Sequence, residues 1–203
     1  MMPSARESLL DAAFAALARR SWSTVRMVDV AAAAGVSRQT LYNEFGSKDG
    51  LARALVRREA DGYLAGVERA FAREGDIGER LAGLAEWTVA HARDNPLVRA
   101  MLTGCWSERL PSPPLRAVLS ATAVPAQRRA DGPLPSPGDF VAHVRERSLA
   151  VLVPAKAGKG EADEVARGAE LAVRLALSCV AAPAGEGGVR DLVTGALERR
   201  AVG

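Results

Sequence analysis

Aromatic residues, cysteines and long apolar runs are all scarce in this sequence of 203 residues. Aromatic residues make up only 4% of the chain, and because β-sheets are enriched in aromatic and β-branched side chains, the composition predicts an all-α fold. The two cysteines, Cys105 and Cys179, lie far apart, which argues against a disulfide framework. No stretch approaches the roughly 20 apolar residues that cross a bilayer, and no apolar signal core precedes the first helix. We therefore expect a cytoplasmic protein without a membrane partner.

Motifs that carry catalysis or bind metals are absent as well. The two histidines, His91 and His143, are isolated from each other in the sequence, and no HExxH, GxSxG or CxxC occurs. Residues 157–160 contain glycine and lysine but lack the spacing of a phosphate-binding loop. We expect no enzyme activity, no cofactor and no metal site, and a small all-α enzyme is the least favoured alternative.

Charge is unevenly distributed along the chain. Residues 1–58 carry nine cations and five anions, a net charge of +4, whereas the remainder carries 18 cations and 19 anions. A basic N-terminal region on a nearly neutral body is typical of a protein that binds a polyanion such as DNA.

Helix signals cover most of the chain. Ser4 and Glu7 form a capping-box pattern that opens a first helix ending near Arg20. A proline-rich stretch at 110–138 leaves room for one short helix at 115–122. The other predicted helices cover residues 27–34, 38–45, 48–73, 77–94, 97–105, 139–152, 161–181 and 189–200.

The two short helices at 27–34 and 38–45 have the pattern of a helix-turn-helix. Ala31 is small where the helices would cross, and Gly35 can adopt the positive φ of a tight turn. Val30, Val36 and Leu41 would fill the space between the helices, and Ser37 is a natural N-cap for the second.

Polar residues of the second helix have the chemistry to read DNA. Arginine can donate two hydrogen bonds to guanine, and glutamine or asparagine can do the same for adenine, so Arg38 and Gln39 are candidate base readers. Thr40, Tyr42 and Lys48 suit phosphate contacts, which position a protein on DNA. The plainer alternative is a helical hairpin with solvated polar residues, and the joint spacing of the pattern favours DNA binding over it.

The residues that form this pattern resemble the tetracycline-repressor (TetR) family of regulators. The resemblance rests on residues 30–37, on the run Thr-Leu-Tyr-Asn-Glu-Phe-Gly-Ser-Lys at 40–48, and on Leu51. Two positions depart from the family pattern: Arg26 replaces a capping hydroxyl, and Glu44 adds a negative charge near the expected DNA backbone. The expected DNA contacts are Arg26, Ser37, Arg38, Gln39, Thr40, Tyr42, Asn43 and Lys48.

The resemblance implies a DNA-binding domain at residues 1–47 and a helical regulatory and dimerisation domain at 48–203. As a homodimer, the protein would present two recognition helices about 34 to 36 Å apart to a near-palindromic double-stranded operator. The apolar stripes of the last two predicted helices could pack within their own domain, but a symmetry mate would bury them more economically. The expected interface comprises Leu171, Ala172, Leu175, Ala176, Val189, Leu192, Val193, Ala196 and Leu197.

A repressor released by a small hydrophobic ligand is the function that the resemblance implies. Binding of that ligand must favour the state that cannot bind DNA, because otherwise nothing switches. A regulator that binds DNA without any ligand is the main alternative, and it predicts a filled core. The candidate ligand-binding residues, each of which could instead be core packing, are Trp87, His91, Met101, Trp106, Phe140 and His143.

Overall fold

The computed structural model describes residues 4–111, 136–185 and 187–201. Within these ranges the chain is helical and contains no strand, which confirms the predicted all-α fold. None of the helices described is long and apolar enough to span a membrane. The helices are α1 (Ala5–Leu17), α2 (Met27–Ala33), α3 (Arg38–Phe45), α4 (Lys48–Phe71), α5 (Ile77–Asp94), α6 (Pro96–Thr103), α7 (Pro137–Leu152), α8 (Lys159–Ala181) and α9 (Gly188–Ala201).

The chain divides into two compact units, and the division falls within α4 after Glu59. The described part of the first unit, here called the head, comprises residues 4–59 and 106–111; that of the second, the body, comprises 60–105, 136–185 and 187–201. The domain boundary after residue 47, inferred from the sequence, remains a prediction.

The head is built on α1, α2 and α3, which pack against one another. The predicted capping box is present at the start of α1, where the Ser4 side chain accepts from the amide of Glu7. The helix ends at Leu17, slightly before the predicted end near Arg20. The buried apolar side chains of α1 and of the turn before α2 are Leu9, Leu10, Ala13, Trp22 and Val25.

The body is centred on α5, which packs against both α8 and α9. Asp76 caps α5 in a second capping box with Glu79. Gly168 of α8 lies where two helices approach closely, because a Cβ there would come within 3.2 Å of Leu81 and 3.3 Å of Leu197. The alanine and glycine content of α8 thus allows it to sit tightly against α5 and α9.

Two helix starts differ from the sequence-based prediction by two residues, and those of α6 and α9 by one. Helix α7 begins at Pro137 rather than Asp139, because Ser136 accepts from the Asp139 amide as N-cap and proline is favoured in the first turn. Helix α8 begins at Lys159, two residues before the predicted start. The short helix predicted at 115–122 lies outside the described residues, as does most of the proline-rich stretch.

Candidate nucleic-acid interface

The turn between α2 and α3 has the geometry that the sequence predicts. Gly35 has a φ of +68°, a region that residues with a side chain rarely adopt. The amide of Val36 donates to the carbonyl of Ala31 at 3.1 Å, and the amide of Gly35 donates to Ala32 at 3.2 Å. These bonds satisfy carbonyls at the end of α2 and fix the direction in which α3 leaves the turn.

The inner faces of α2 and α3 anchor the recognition helix. Leu41 is fully buried, and Val30 and Ala31 are nearly so, which agrees with their predicted role between the helices. Val36 is only half-buried. With Leu41 inward, helical periodicity turns the polar residues on either side of it outward.

Ser37 caps α3 as predicted. Its Oγ accepts from the amide of Thr40 at 3.0 Å and lies 2.9 Å from the Thr40 hydroxyl. The two predicted contact residues are therefore joined to each other, and the cap stabilises the first turn of α3.

Four of the predicted DNA contacts form an exposed polar face on α3. Arg38, Gln39, Tyr42 and Asn43 are exposed, and the Tyr42 side chain is 42% accessible. Gln39 Nε2 donates to Asn43 Oδ1 at 2.8 Å, one turn further along the helix. Among the described residues, Arg38 makes no ion pair. This face can offer a guanidinium, two amides and a phenol to a ligand outside the head.

A close approach of α3 and α4 depends on Gly50, a residue that the sequence analysis missed. A Cβ at Gly50 would overlap the carbonyl oxygen of Phe45. Ser47 Oγ accepts from the Gly50 amide at 3.0 Å and so caps α4. A glycine in the first turn of a long helix was the available signal, because glycine there disfavours helix formation unless packing requires it.

Lys48 is held against the turn that precedes α2. Its Nζ donates to the Ser23 carbonyl at 3.0 Å and lies 5.5 Å from the centre of the Trp22 ring. Partial burial lowers the pKa of Lys48, and the charge of Asp49 acts in the opposite direction. The ammonium therefore has a fixed position at the start of α4.

Arg26 lies at the start of α2 and is paired within the head. Its Nε and a terminal nitrogen donate to the two carboxylate oxygens of Asp29 at 3.1 and 3.2 Å, and Arg20 donates to the same carboxylate at 3.1 Å. The hydrogen bond from Arg26 is the main cause of the lowered pKa of Asp29. Two cations share one anion here, which leaves a net positive charge beside the N-terminus of α2.

Glu44, the other departure from the family pattern, is paired with α1. A terminal nitrogen of Arg6 lies 3.4 Å from both the Glu44 carboxylate and the Glu44 carbonyl, and its guanidinium sits 4.7 Å from the centre of the Phe45 ring. The charge of Glu44 is therefore partly countered inside the head.

The predicted ligand-binding residues are only partly brought together. Trp87 stacks on His91 at 5.0 Å between ring centroids and on Tyr63 at 5.3 Å, and Phe140 meets Tyr63 edge to face at 5.5 Å. We call these four residues the aromatic cluster. Sequence analysis missed Tyr63, the residue that joins α5 to α7 in this cluster.

Tyr63 is fully buried, and its hydroxyl lies 3.3 Å from that of Thr88. Burial raises its pKa to about 12, against the smaller opposing effect of the Thr88 hydrogen bond. A Cβ at Gly66, one turn along α4, would overlap the Trp87 ring. The indole therefore lies directly on the backbone of α4.

The remaining ligand candidates are separated from this cluster or embedded in the core. Met101 is buried, and Trp106 belongs to the head rather than the body. His143 is half-buried on α7, and within the part of the chain that the structure describes its Nε2 is enclosed without a hydrogen-bond partner. Three surface grooves, of about 560, 510 and 220 Å³, include none of the six candidates.

Four residues of the predicted dimer interface pack inside the body itself. Ala172, Ala176 and Val193 have no exposed surface, and Val189 is 7% exposed, so these four cannot supply an interface. The reason is that the small-residue face of α8 packs on α5. Of the other five, Leu192 is 46% exposed, while Leu171, Leu175, Ala196 and Leu197 are half-buried.

Comparison with known proteins identifies the head. Residues 9–55 match the family described as bacterial regulatory proteins, tetR family. The HTH-type transcriptional regulator AlkX of Mycobacterium tuberculosis is 39% identical over 131 residues, a match that covers 64% of this chain and 59% of that relative.

Solved structures extend the similarity along the chain. The TetR family repressor AlkX from Dietzia sp. strain DQ12-45-1b has 26% identity and a TM-score of 0.52, with 96% of this chain and 94% of that one covered. A tetR-family regulator from Streptomyces coelicolor shares the fold, with a TM-score of 0.55 at 18% identity over 99% of this chain and 81% of that one. Residues 9–55 thus match the DNA-binding domain of the tetR family, and the chain is similar in fold to TetR-family regulators along most of its length.

Proposed function

We propose that this protein is a repressor that binds a near-palindromic operator as a homodimer and leaves it when a small apolar ligand binds. The observation that carries the DNA-binding part is the exposed face of α3, whose residues Arg38, Gln39, Tyr42 and Asn43 project from a helix that is capped at Ser37. A rigid, polar helix of this kind can enter the major groove and contact base edges.

The charge arrangement in the head supports the same interpretation. Asp29 and Glu44 are paired with arginines, and Asp11 is paired with Arg58 at 2.6 Å. These pairs reduce the repulsion that a DNA backbone would otherwise meet, since phosphate contacts dominate the affinity of such proteins. Arg38, which has no ion pair among the described residues, can then approach a guanine without giving up an existing bond.

The hydrogen bond between Gln39 and Asn43 fixes a second pair of side chains that can contact a base. This bond uses one amide hydrogen of Gln39 and the side-chain carbonyl of Asn43. The side-chain carbonyl of Gln39 and the NH2 group of Asn43 remain available. This donor and acceptor match the N6 and N7 edge of adenine in the major groove. We therefore expect a guanine contact from Arg38 beside an adenine contact from the Gln39 and Asn43 pair.

Fluorescence anisotropy on duplex DNA tests this proposal. The duplexes come from immediately upstream of the coding sequence and from a random pool, and each titration is repeated across salt concentrations. Arg38→Ala should weaken binding to the preferred duplex by about 1 to 3 kcal/mol and relax the sequence preference, while Tyr42→Ala should weaken all duplexes alike. Arg167→Ala, which removes an exposed charge from α8, is the matched control. Equal, weak binding by every variant to every duplex would contradict the proposal.

The body offers a surface for a second copy between α7 and α8. A groove of about 510 Å³ there contains Val141, Ala142, Leu149 and Leu177. Leu149, which is 37% exposed, places apolar surface in it. We infer that the dimer forms here rather than on the buried stripe of α8 that the sequence suggested.

The charges around this groove fit a two-fold interface. Arg145 and Glu146 of α7 face Glu170 and Arg174 of α8, and Arg174 donates to Glu170 at 2.8 Å. A two-fold axis places the same patch on both partners, so a patch with equal numbers of both signs can pair with itself. A homodimer of this kind would supply the two recognition helices that a near-palindromic operator requires.

The aromatic cluster is the part of the body that best suits an apolar ligand. Trp87 and His91 are half-buried, so a ligand could reach their stacked rings. The similar Dietzia repressor is described as implicated in biodegradation of n-alkanes, which suggests a ligand with an alkyl chain. Phe140, which is buried and meets Tyr63 edge to face, then forms the inner wall of the site.

Titration with 1-decanol tests the ligand. In a Trp22→Phe and Trp106→Phe background Trp87 is the single tryptophan, so its emission reports on the cluster. Decanol should change that emission and release the operator at the same concentrations, whereas decane-1,10-diol, which is polar at both ends, should do so more weakly. A ligand-independent regulator would keep its operator affinity at all concentrations of either compound.

A further inference from the structure

The chain returns to the head after α6. Helix α6 lies in the body and ends at Thr103, and residues 106–111 belong to the head. The carbonyl of Arg109 accepts from the backbone amide of Trp22 at 2.8 Å, and the amide of Leu110 donates to Ser107 at 3.0 Å. Pro111, which follows this turn, is buried. We call residues 106–111 the return segment.

Trp22, which the return segment contacts, also supports Lys48. It opens the short 3-10 turn Trp22–Thr24, and its side chain is only 7% exposed. Lys48 Nζ lies over the Trp22 ring and donates to the carbonyl of the next residue, Ser23. The turn Trp22–Thr24 thus contacts the return segment through the Trp22 amide. It also holds the ammonium of Lys48 through the Trp22 ring and the Ser23 carbonyl.

This arrangement leaves hydrogen-bonding capacity on the ammonium. A lysine ammonium has three protons, and the Ser23 carbonyl takes one of them. The π face of Trp22 attracts the same cation. A flexible lysine loses conformational freedom when it binds a phosphate, and this cost falls when its position is already fixed.

We propose that Trp22 is a positioning residue for a DNA phosphate contact by Lys48, and that the return segment sets operator affinity by holding Trp22 in place. The inference rests on the proposed DNA-binding function. Lys48 makes a backbone contact, so the effect is the same for every DNA sequence.

Substitutions at Trp22 and Lys48 test the first half of the proposal. Trp22→Leu keeps an apolar side chain in the core but removes the π face, and Trp22→Phe keeps both. Trp22→Leu should weaken binding to all duplexes by about two- to fivefold, the fold-change that an exposed cation–π contact represents, while Trp22→Phe should bind like the parent protein. Lys48→Met should lower the slope of log affinity against log salt by about 0.9.

The double variant distinguishes positioning from general loosening of the head. If Trp22 acts through Lys48, adding Trp22→Leu to Lys48→Met should change affinity no further. Circular dichroism checks that each variant melts as a folded protein. A Trp22→Leu effect that persists in full without Lys48 would overturn the proposal, as would a Lys48→Met loss that Trp22→Leu does not reproduce in part.

A change in the return segment tests the second half. Leu110→Gly with Pro111→Gly loosens the turn and leaves the sequence of the head's helices unchanged. It should weaken DNA binding in the parent protein and have no effect in the Lys48→Met variant. An equal loss in both would assign the segment a role other than positioning Lys48. If the parent protein itself binds no duplex, the proposed function is wrong and this inference falls with it; if it binds and only these couplings are absent, the inference alone fails.

Discussion

The head and the body of this protein differ in how far apart their decisive contacts lie in the sequence. In the head, the Ser37 cap reaches three residues to Thr40, and Gly50 meets Phe45 across a single turn. In the body, Tyr63 meets Phe140, and Glu86 pairs with Arg190 at 2.6 Å. A functional site made of local contacts can be recognised as a motif, whereas a site made of distant contacts appears only after folding.

The two regions also differ in where their functional residues sit. The base-reading candidates of the head are exposed on a helix whose opposite side is buried, so their polar groups are accessible from solvent. Among the body's candidates, Met101 and Phe140 are buried, and Trp87 and His91 are stacked on each other. A buried aromatic residue serves packing first, and a ligand can use it only by replacing an existing neighbour.

The proposed dimer surface between α7 and α8 carries the largest expected effect, and α9 provides its comparison within the body. Leu149→Arg places a charge in the apolar groove between α7 and α8 and should abolish the dimer, because a buried unpaired charge is strongly unfavourable. Loss of the second recognition helix should then reduce operator affinity by about 100-fold or more. Sedimentation velocity and anisotropy measure the two effects on the same sample.

Leu192→Arg is the matched control on α9. Leu192 is at least as exposed as Leu149, but it lies on the helix that the sequence analysis favoured as an interface. We expect this variant to remain dimeric and to bind the operator normally. The opposite result, a monomer from Leu192→Arg and a dimer from Leu149→Arg, would return the interface to the last two helices.

We expect alkaline pH to lower the free energy of unfolding, because Tyr63 is buried in the body. Its pKa is raised to about 12 in the folded chain by burial, while an unfolded tyrosine titrates near pH 10. Below pH 10 both states keep the proton and the stabilisation is complete. Between pH 10 and 12 the unfolded state loses its proton first, so the free energy of unfolding should fall by up to about 3 kcal/mol.

Urea unfolding at pH 8 and pH 11 measures this effect as a difference between variants. Tyr63→Phe should flatten the alkaline loss, although it costs about 1 kcal/mol at pH 8 because the hydroxyl no longer meets Thr88. Tyr42→Phe, which removes an exposed hydroxyl from the head, should leave the alkaline loss unchanged. If both variants lose stability between pH 8 and pH 11 as the parent does, Tyr63 is not its source.

Two glycines of α4 allow a comparison of the head with the body within one helix, because Gly50 lies in the head and Gly62 in the body. A methyl group at Gly50 would overlap the Phe45 carbonyl, whereas a Cβ at Gly62 meets nothing within 4 Å. Gly50→Ala should destabilise the protein by about 1 to 3 kcal/mol, since the backbone of α3 must move. Gly62→Ala should stabilise it by up to about 1 kcal/mol through helix propensity alone.

Thermal unfolding and DNA binding together measure the two glycine variants. Gly50→Ala should also weaken operator binding, because it displaces α3 relative to α4, and Gly62→Ala should not. A Gly50→Ala protein with unchanged melting temperature and affinity would show that the approach of the two helices is not needed in the head.

The head was predictable from the sequence to the level of single bonds, and the body only to the level of helices. Gly35, the Ser37 cap and the bounds of α3 were confirmed because each depends on residues within one or two turns. The interface residues Ala172 and Ala176 were wrongly placed on the surface, because an apolar stripe does not reveal whether its own core or a partner covers it. Tyr63 was missed since its contacts with Trp87 and Phe140 require the packing of three helices.

The two capping serines carry the smallest expected effect on stability, and only one of them is expected to affect DNA binding. Ser37 and Ser136 each accept a hydrogen bond from the amide three residues on, one at the start of α3 in the head and the other at the start of α7 in the body. Replacing either with alanine should cost about 1 kcal/mol of stability. Only Ser37→Ala should also weaken operator binding, because only α3 carries the proposed base-reading residues. Equal losses of affinity in both variants would mean that stability as a whole, rather than the order of the recognition helix, limits DNA binding.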